Sequence, residues 1–193
     1  MEGVLEEVRP GVKRWLGEHP EWRPEEDELD ASYRAVASLL YHARNAVVLI
    51  DPLVRDELWP ALDAEVEEGG APVVVLTTIK FHTRSRDEVA RRYGAKLGRL
   101  PEGVRAFPAE RGDEVAFWLE EPRAVVFGDA VLGDQHGGLR LCPWFRDDEG
   151  RERTRQALLP LLELPVDLVL PAHGEPVLAG GRDALARALD SPQ

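Results

Sequence analysis

Four short apolar runs are spread along the chain, and each ends on or near a side chain that can do chemistry. Ala46–Ile50 runs into Asp51, and Val73–Leu76 leads through Thr77 and Lys80 to His82. Ala124–Phe127 gives way to Gly128 and Asp129, and Leu168–Leu170 leads through Pro171 and Ala172 to His173. Such continuous apolar runs predict strands buried on both faces. In layered α/β proteins ligands bind in the crevice beyond the ends of such strands. The pattern therefore predicts that distant segments deliver two histidines and two aspartates to one rim.

Between these runs the sequence predicts the rest of the scaffold. Ser32–Tyr41 reads as a strand of mixed periodicity, turned by Asn45 into Ala46–Ile50. Asp56–Glu68 reads as a helix with Leu58, Trp59, Leu62 and Val66 on one face, Pro60 in its tolerant first turn and Gly69-Gly70 at its end. Pro72–Thr77 is the next strand. Ser85-Arg86-Asp87-Glu88 fits a capping box opening a helix to Tyr93, with Gly94 just past its end. His82 and Arg84 then fall in the short loop between a buried strand and a helix N-terminus. Strands follow at Val104–Phe107, Val115–Leu119, Ala124–Phe127 and Leu139–Leu141, then a helix over Gly150–Leu162, a strand at Val166–Leu170 and a closing helix at Arg182–Leu189. Residues 18–30, polar and containing prolines, read as a surface loop. No linker, repeat or low-complexity segment divides the chain, so a single domain over 1–193 is expected. Strands dominate the first half and then alternate with helices, which favours mixed sheets flanked by helices.

Composition narrows the function classes. With 193 residues, 44% hydrophobic and 31% charged, the chain can bury a sizeable core. No run approaches the roughly 20 apolar residues that span a bilayer, and the acidic, polar N-terminus does not resemble a secretory signal. A cytoplasmic protein is expected. The lone Cys142 excludes an internal disulfide or a cysteine-rich zinc site and predicts a buried structural thiol. A net charge of −12 argues against nucleic acid or an anionic membrane surface as partner. It leaves room for a small anionic ligand, because a local arginine pocket can outweigh the global field.

Each chemical candidate has an ordinary alternative. Asp51, before Pro52, could simply cap a turn, or could orient a neighbouring ligand through a hydrogen bond. His82 could be a polar loop residue, and Arg84 an exposed cation or an anion clamp beside a helix N-terminus. Asp129, flanked by apolar residues, must be hydrogen-bonded, ion-paired or metal-bound, because an unpaired buried carboxylate is costly. His173 is held rigidly between Pro171 and Gly174, which suits a site residue. Glu175 reads as a surface acid, His42 and His136 have no supporting context, and the Gly-Gly pairs match no phosphate loop.

The order LIDPL, LTT with a following histidine, VVFGDAV and LPAHGEP resembles the metallo-β-lactamase fold superfamily, from roughly Val8 to the C-terminus. The resemblance implies an α+β, αββα sandwich: two mixed β-sheets packed face to face with helices outside, and metal ligands in loops at one edge. It implies that Asp51 matches the family's first-motif aspartate, Asp129 its bridging aspartate and His173 its last histidine. The family's Thr-His-x-His-x-Asp-His signature is replaced here by Thr77-Thr78-Ile79-Lys80-Phe81-His82-Thr83. Lys80 stands about where a ligating histidine would be, and a cation there opposes metal binding. The family's Pro-Gly-His segment gives way to Phe107-Pro108-Ala109-Glu110-Arg111-Gly112. A dinuclear zinc centre is therefore not expected.

Three functions fit these residues. The first is a metal-poor or metal-free member of the fold, its dinuclear site largely lost, binding a small anionic ligand through Lys80, Arg84 and Arg111. The second is a mononuclear hydrolase of an ester, thioester or lactone. His82, Asp129 and His173 would ligate a single Zn²⁺ or Fe²⁺ that activates water, with Asp51 and Arg84 as the other catalytic candidates. The third is an interaction protein that uses its acidic surface.

Overall fold

The computed structural model describes residues 4–23, 34–134 and 137–190. The chain resolves into two compact units, Met1–Thr77 with Phe81–Gly103, and Thr78–Lys80 with Val104–Gln193. Most of the predicted 18–30 loop lies outside the described residues, as do Ser32 and His136.

The first unit is built on a six-stranded sheet in the order β1 (Glu6–Arg9), β2 (Val12–Glu18), β3 (Ala35–Ala43), β4 (Ala46–Ile50), β5 (Val73–Leu76), β6 (Lys96–Leu97). The first four strands form an antiparallel meander, and β5 and β6 add in parallel. The parallel steps need crossover connections. These are helix α1 (Trp59–Gly69), entered through a 3₁₀ turn at Asp56–Leu58, and helix α2 (Arg86–Tyr93). Every residue of β4 and β5 is buried, as their uninterrupted apolar runs predict. Val47, Leu49, Val73 and Val75 pack with Leu58, Trp59, Leu62 and Val89 of the helical segments and with Trp15 and Leu40.

Two details differ from the sequence reading. Ser85 is the N-cap of α2, but its side chain makes no capping bond. Its Oγ instead accepts from the Val54 amide at 2.9 Å, tying the helix start to the segment after β4. Strand β2 escapes pattern reading because the buried Arg14 sits among its inward positions, so polarity does not mark its face.

The second unit carries a four-stranded mixed sheet made of β7 (Val104–Pro108), β8 (Val115–Leu119), β9 (Ala124–Phe127) and β12 (Leu168–Pro171). Its order is β12-β9-β8-β7, with β12 and β9 parallel and the remaining pairs antiparallel. A small hairpin joins β10 (Val131–Gly133) to β11 (Leu139–Leu141). Helix α3 (Asp148–Leu158) starts two residues before the predicted Gly150, because Asp147 caps it by accepting from the Gly150 amide at 2.7 Å. It tightens into a 3₁₀ turn at Leu159–Glu163, where Pro160 lacks the amide that would continue the α-helix. Helix α4 (Gly181–Asp190) closes the unit. Trp118, Val125, Phe127, Val169, Leu158, Leu161, Leu185 and Leu189 form its core. Among the described residues no helix is long and apolar enough to cross a membrane.

Candidate functional site

In the first unit, chemistry gathers where the parallel strands β4 and β5 end. Asp51 adopts a left-handed backbone, φ 49°, which an aspartate tolerates better than most residues. Its amide donates to the Leu76 carbonyl at 3.1 Å. Its own carbonyl accepts from Ser38 Oγ at 2.8 Å and from Arg84 Nη1 at 3.0 Å. The same Arg84 nitrogen donates to the Ala37 carbonyl at 2.9 Å. With the backbone so held, the Asp51 carboxylate meets His82: Oδ2 lies 2.9 Å from Nδ1, and both side chains are at most 5% exposed. His82 sits in a 3₁₀ turn, Lys80–Thr83, whose Lys80 is exposed. Asp51 therefore does more than cap a turn, and Arg84 serves the aspartate's backbone.

In the second unit the parallel pair β9 and β12 delivers the other two candidates. Asp129 and His173 are both buried, with His173 Nε2 3.4 Å from Asp129 Oδ1. Arg111 Nη1 donates to the other oxygen, Asp129 Oδ2, at 3.1 Å. Arg111 rides on a tight turn between β7 and β8 in which Glu110, Gly112 and Asp113 all have positive φ. Glu114 ends that turn at 1% exposure, and its two carboxylate oxygens accept from the amides of Gly128 (2.9 Å) and Asp129 (3.1 Å). Burial pushes the Glu114 carboxyl up to about 7, against the lowering pull of backbone hydrogen bonds from Ala130 and Asp129. Gly128 is fixed by space: a Cβ would lie 2.6 Å from Thr78 Oγ1 and 3.2 Å from Glu114 Cδ. Cys142 is buried as expected, and burial raises its thiol above the usual range, which does not suit a nucleophile.

Sequence reading missed Glu114, one of 36 acidic residues, with nothing to set it apart from the others. It also missed a polar cluster at the opposite end of β4. There Glu65 of α1 is paired with Lys13 of β2 and, at 3.0 Å, with His42 Nε2 of β3, beside a cleft of about 370 Å³. Burial pushes the Glu65 carboxyl up, but the hydrogen bonds and charges of His42 and Lys13 outweigh it and hold it below its ordinary 4.5. A carboxyl with a lowered folded pKa contributes stability above its unfolded pKa and loses it as pH falls through the folded value. Stability should therefore decline below about pH 4.5, and Glu65→Gln should flatten that acid limb. Urea midpoints between about pH 3 and pH 6 would show it. An unchanged slope would mean that the pair adds nothing.

No protein-family model matches the chain, and no curated protein matches its sequence. Solved structures do match. The crystal structure of DIM-1 metallo-β-lactamase superposes with a TM-score of 0.62 at 14% identity, covering 97% of this chain and 99% of that one. VMB-1 at pH 5.5 superposes with a TM-score of 0.58 at 13% identity, covering 97% and 98%. A second DIM-1 structure, exposed to ceftazidime, gives 0.57 at 14% identity, covering 97% and 98%. The chain has the metallo-β-lactamase fold, the α+β class that the order of its motifs implied.

Proposed function

We propose that this chain is a mononuclear metalloprotein whose ion is held by His82, Asp129 and His173, with hydrolysis of a small ester, thioester or lactone as its reaction class. One observation carries the reading. Each of these three buried side chains offers a ligand atom, and within the second unit Asp129 Oδ1 and His173 Nε2 lie 3.4 Å apart. Two imidazoles and one carboxylate are a donor set suited to Zn²⁺ or Fe²⁺. When bound, such an ion polarises a substrate carbonyl and lowers the pKa of a coordinated water.

The chain's own residues prepare the ligands. Asp51 Oδ2 accepts from His82 Nδ1–H, which fixes the tautomer and leaves the lone pair on Nε2. Arg111 occupies Asp129 Oδ2, so Oδ1 is the oxygen beside His173 Nε2. Arg84 acts one step further back, by holding the Asp51 carbonyl.

The competing reading, an anion pocket without metal, needs Lys80, Arg84 and Arg111 as ligand cations. It gains less support, because Arg84 Nη1 serves two carbonyls, Arg111 Nη1 serves Asp129, and Lys80 lies exposed.

The test is elemental analysis of protein purified without chelator, paired with His173→Ala and Asp129→Ala. About one equivalent of zinc or iron in the wild type, lost in both variants, is the expected result. Wild-type protein that stays metal-free after reconstitution would sink the proposal and return attention to anionic ligands.

A further inference from the structure

We propose that Glu114 is a positioning residue for the metal ligand Asp129, an inference that rests on the metal-binding reading above. Strand β9 ends at Phe127, and the amides of the next two residues, Gly128 and Asp129, both point at one carboxylate. Two adjacent N–H donors aimed at one point form a concavity that an anion with two oxygens fills well. Glu114 fills it from within the chain, at 1% exposure.

Its backbone is tied as firmly as its side chain. The Glu114 amide donates to the Arg111 carbonyl at 2.9 Å, and its carbonyl accepts from Ala109 at 2.8 Å. These bonds close the turn that presents Arg111 to Asp129 Oδ2. One residue therefore governs both handles on Asp129. Its side chain sets the aspartate's backbone, and its main chain sets the arginine that holds Asp129 Oδ2. Gly128 leaves no slack, since a Cβ there would press within 3.2 Å of Glu114 Cδ.

Glutamine is nearly isosteric but has one acceptor oxygen. Its NH₂ would face a backbone N–H, so one of the two bonds must break and the 128–129 peptide must turn. Glu114→Gln should weaken zinc binding by about 10- to 100-fold, the range found when groups that orient metal ligands are removed. It should also speed hydrogen exchange at the Gly128 and Asp129 amides in the metal-free protein. The probe is Zn²⁺ itself, titrated against a chromophoric chelator.

Leu185→Ala is the control. Leu185 is fully buried in the core of the same unit, so its truncation lowers stability and should leave zinc affinity within about twofold of wild type. If Glu114→Gln does not fold, Glu114→Asp keeps the charge but withdraws both oxygens by one methylene, and is read in the same way. Unchanged zinc affinity in the Glu114 variant overturns the inference, and so does an equal loss in Leu185→Ala. Should the wild type take up no zinc or iron, the metal reading fails by itself. Amide exchange then decides whether Glu114 still fixes Asp129, with unchanged protection overturning that too.

Discussion

Replacing Gly133 by alanine should cost about 3 kcal/mol or more of folding stability and displace His173 from its position. At the end of β10 two stretches of backbone cross with no side chain between them. A Cβ on Gly133 would lie 2.0 Å from the Glu175 carbonyl oxygen and 2.6 Å from its amide nitrogen. From the other side, a Cβ on Gly174 would lie 2.1 Å from the Gly133 carbonyl oxygen, and Gly174 has φ +79° besides. Both obstacles are main-chain atoms, so no rotamer change relieves them. The Gly133 amide donates to the His173 carbonyl at 2.9 Å, so forcing the crossing apart moves the histidine itself. Denaturant unfolding reads the stability, and zinc titration reads the displacement. A loss below about 1 kcal/mol would mean that this crossing is looser than its geometry implies.

The second large effect is expected at Asp51. Asp51→Ala removes the acceptor of His82 Nδ1 inside a pair that is at most 5% exposed. A buried hydrogen bond to a charged group is worth about 1.5–3 kcal/mol, and its loss leaves a donor to be satisfied otherwise. Alanine must also take up φ 49°, a left-handed conformation that costs about 1–2 kcal/mol for most L-residues. The two terms together predict a loss of about 2.5–5 kcal/mol. Asn accepts the same bond through Oδ1 and tolerates the same φ, so Asp51→Asn should recover most of it. If both variants unfold at the wild-type urea concentration, the Asp51–His82 pair is ornamental.

What the sequence discloses and what it conceals follow from the same physics. The four apolar runs marked β4, β5, β9 and β12 because strands buried on both faces leave no polar interruption. In each unit two of these runs are parallel neighbours, so both chain exits leave the sheet at one end. That is why Asp51 meets His82, and Asp129 meets His173, although 31 and 44 residues separate them. Glu114 and the Lys13–His42–Glu65 cluster carried no such mark. Their importance lies in which backbone amides or side chains they face across the fold, and residue type and spacing do not encode that. Ser85 shows the converse. Its local sequence promised a helix cap, but a contact with Val54, 31 residues away, took its hydroxyl instead.

The Gly128–Asp129 peptide has a further consequence, for how this protein could change over generations. Its amides are already satisfied from inside the chain, so a ligand arriving at Asp129 need not order that stretch before it binds. The same satisfaction removes the loop as raw material for new specificity. Insertions there would strand a buried carboxylate, and most substitutions at Gly128 would collide with Thr78. Selection for a different substrate would have to work on side chains around an unmoving frame, exchanging single residues while the loop keeps its length and its path.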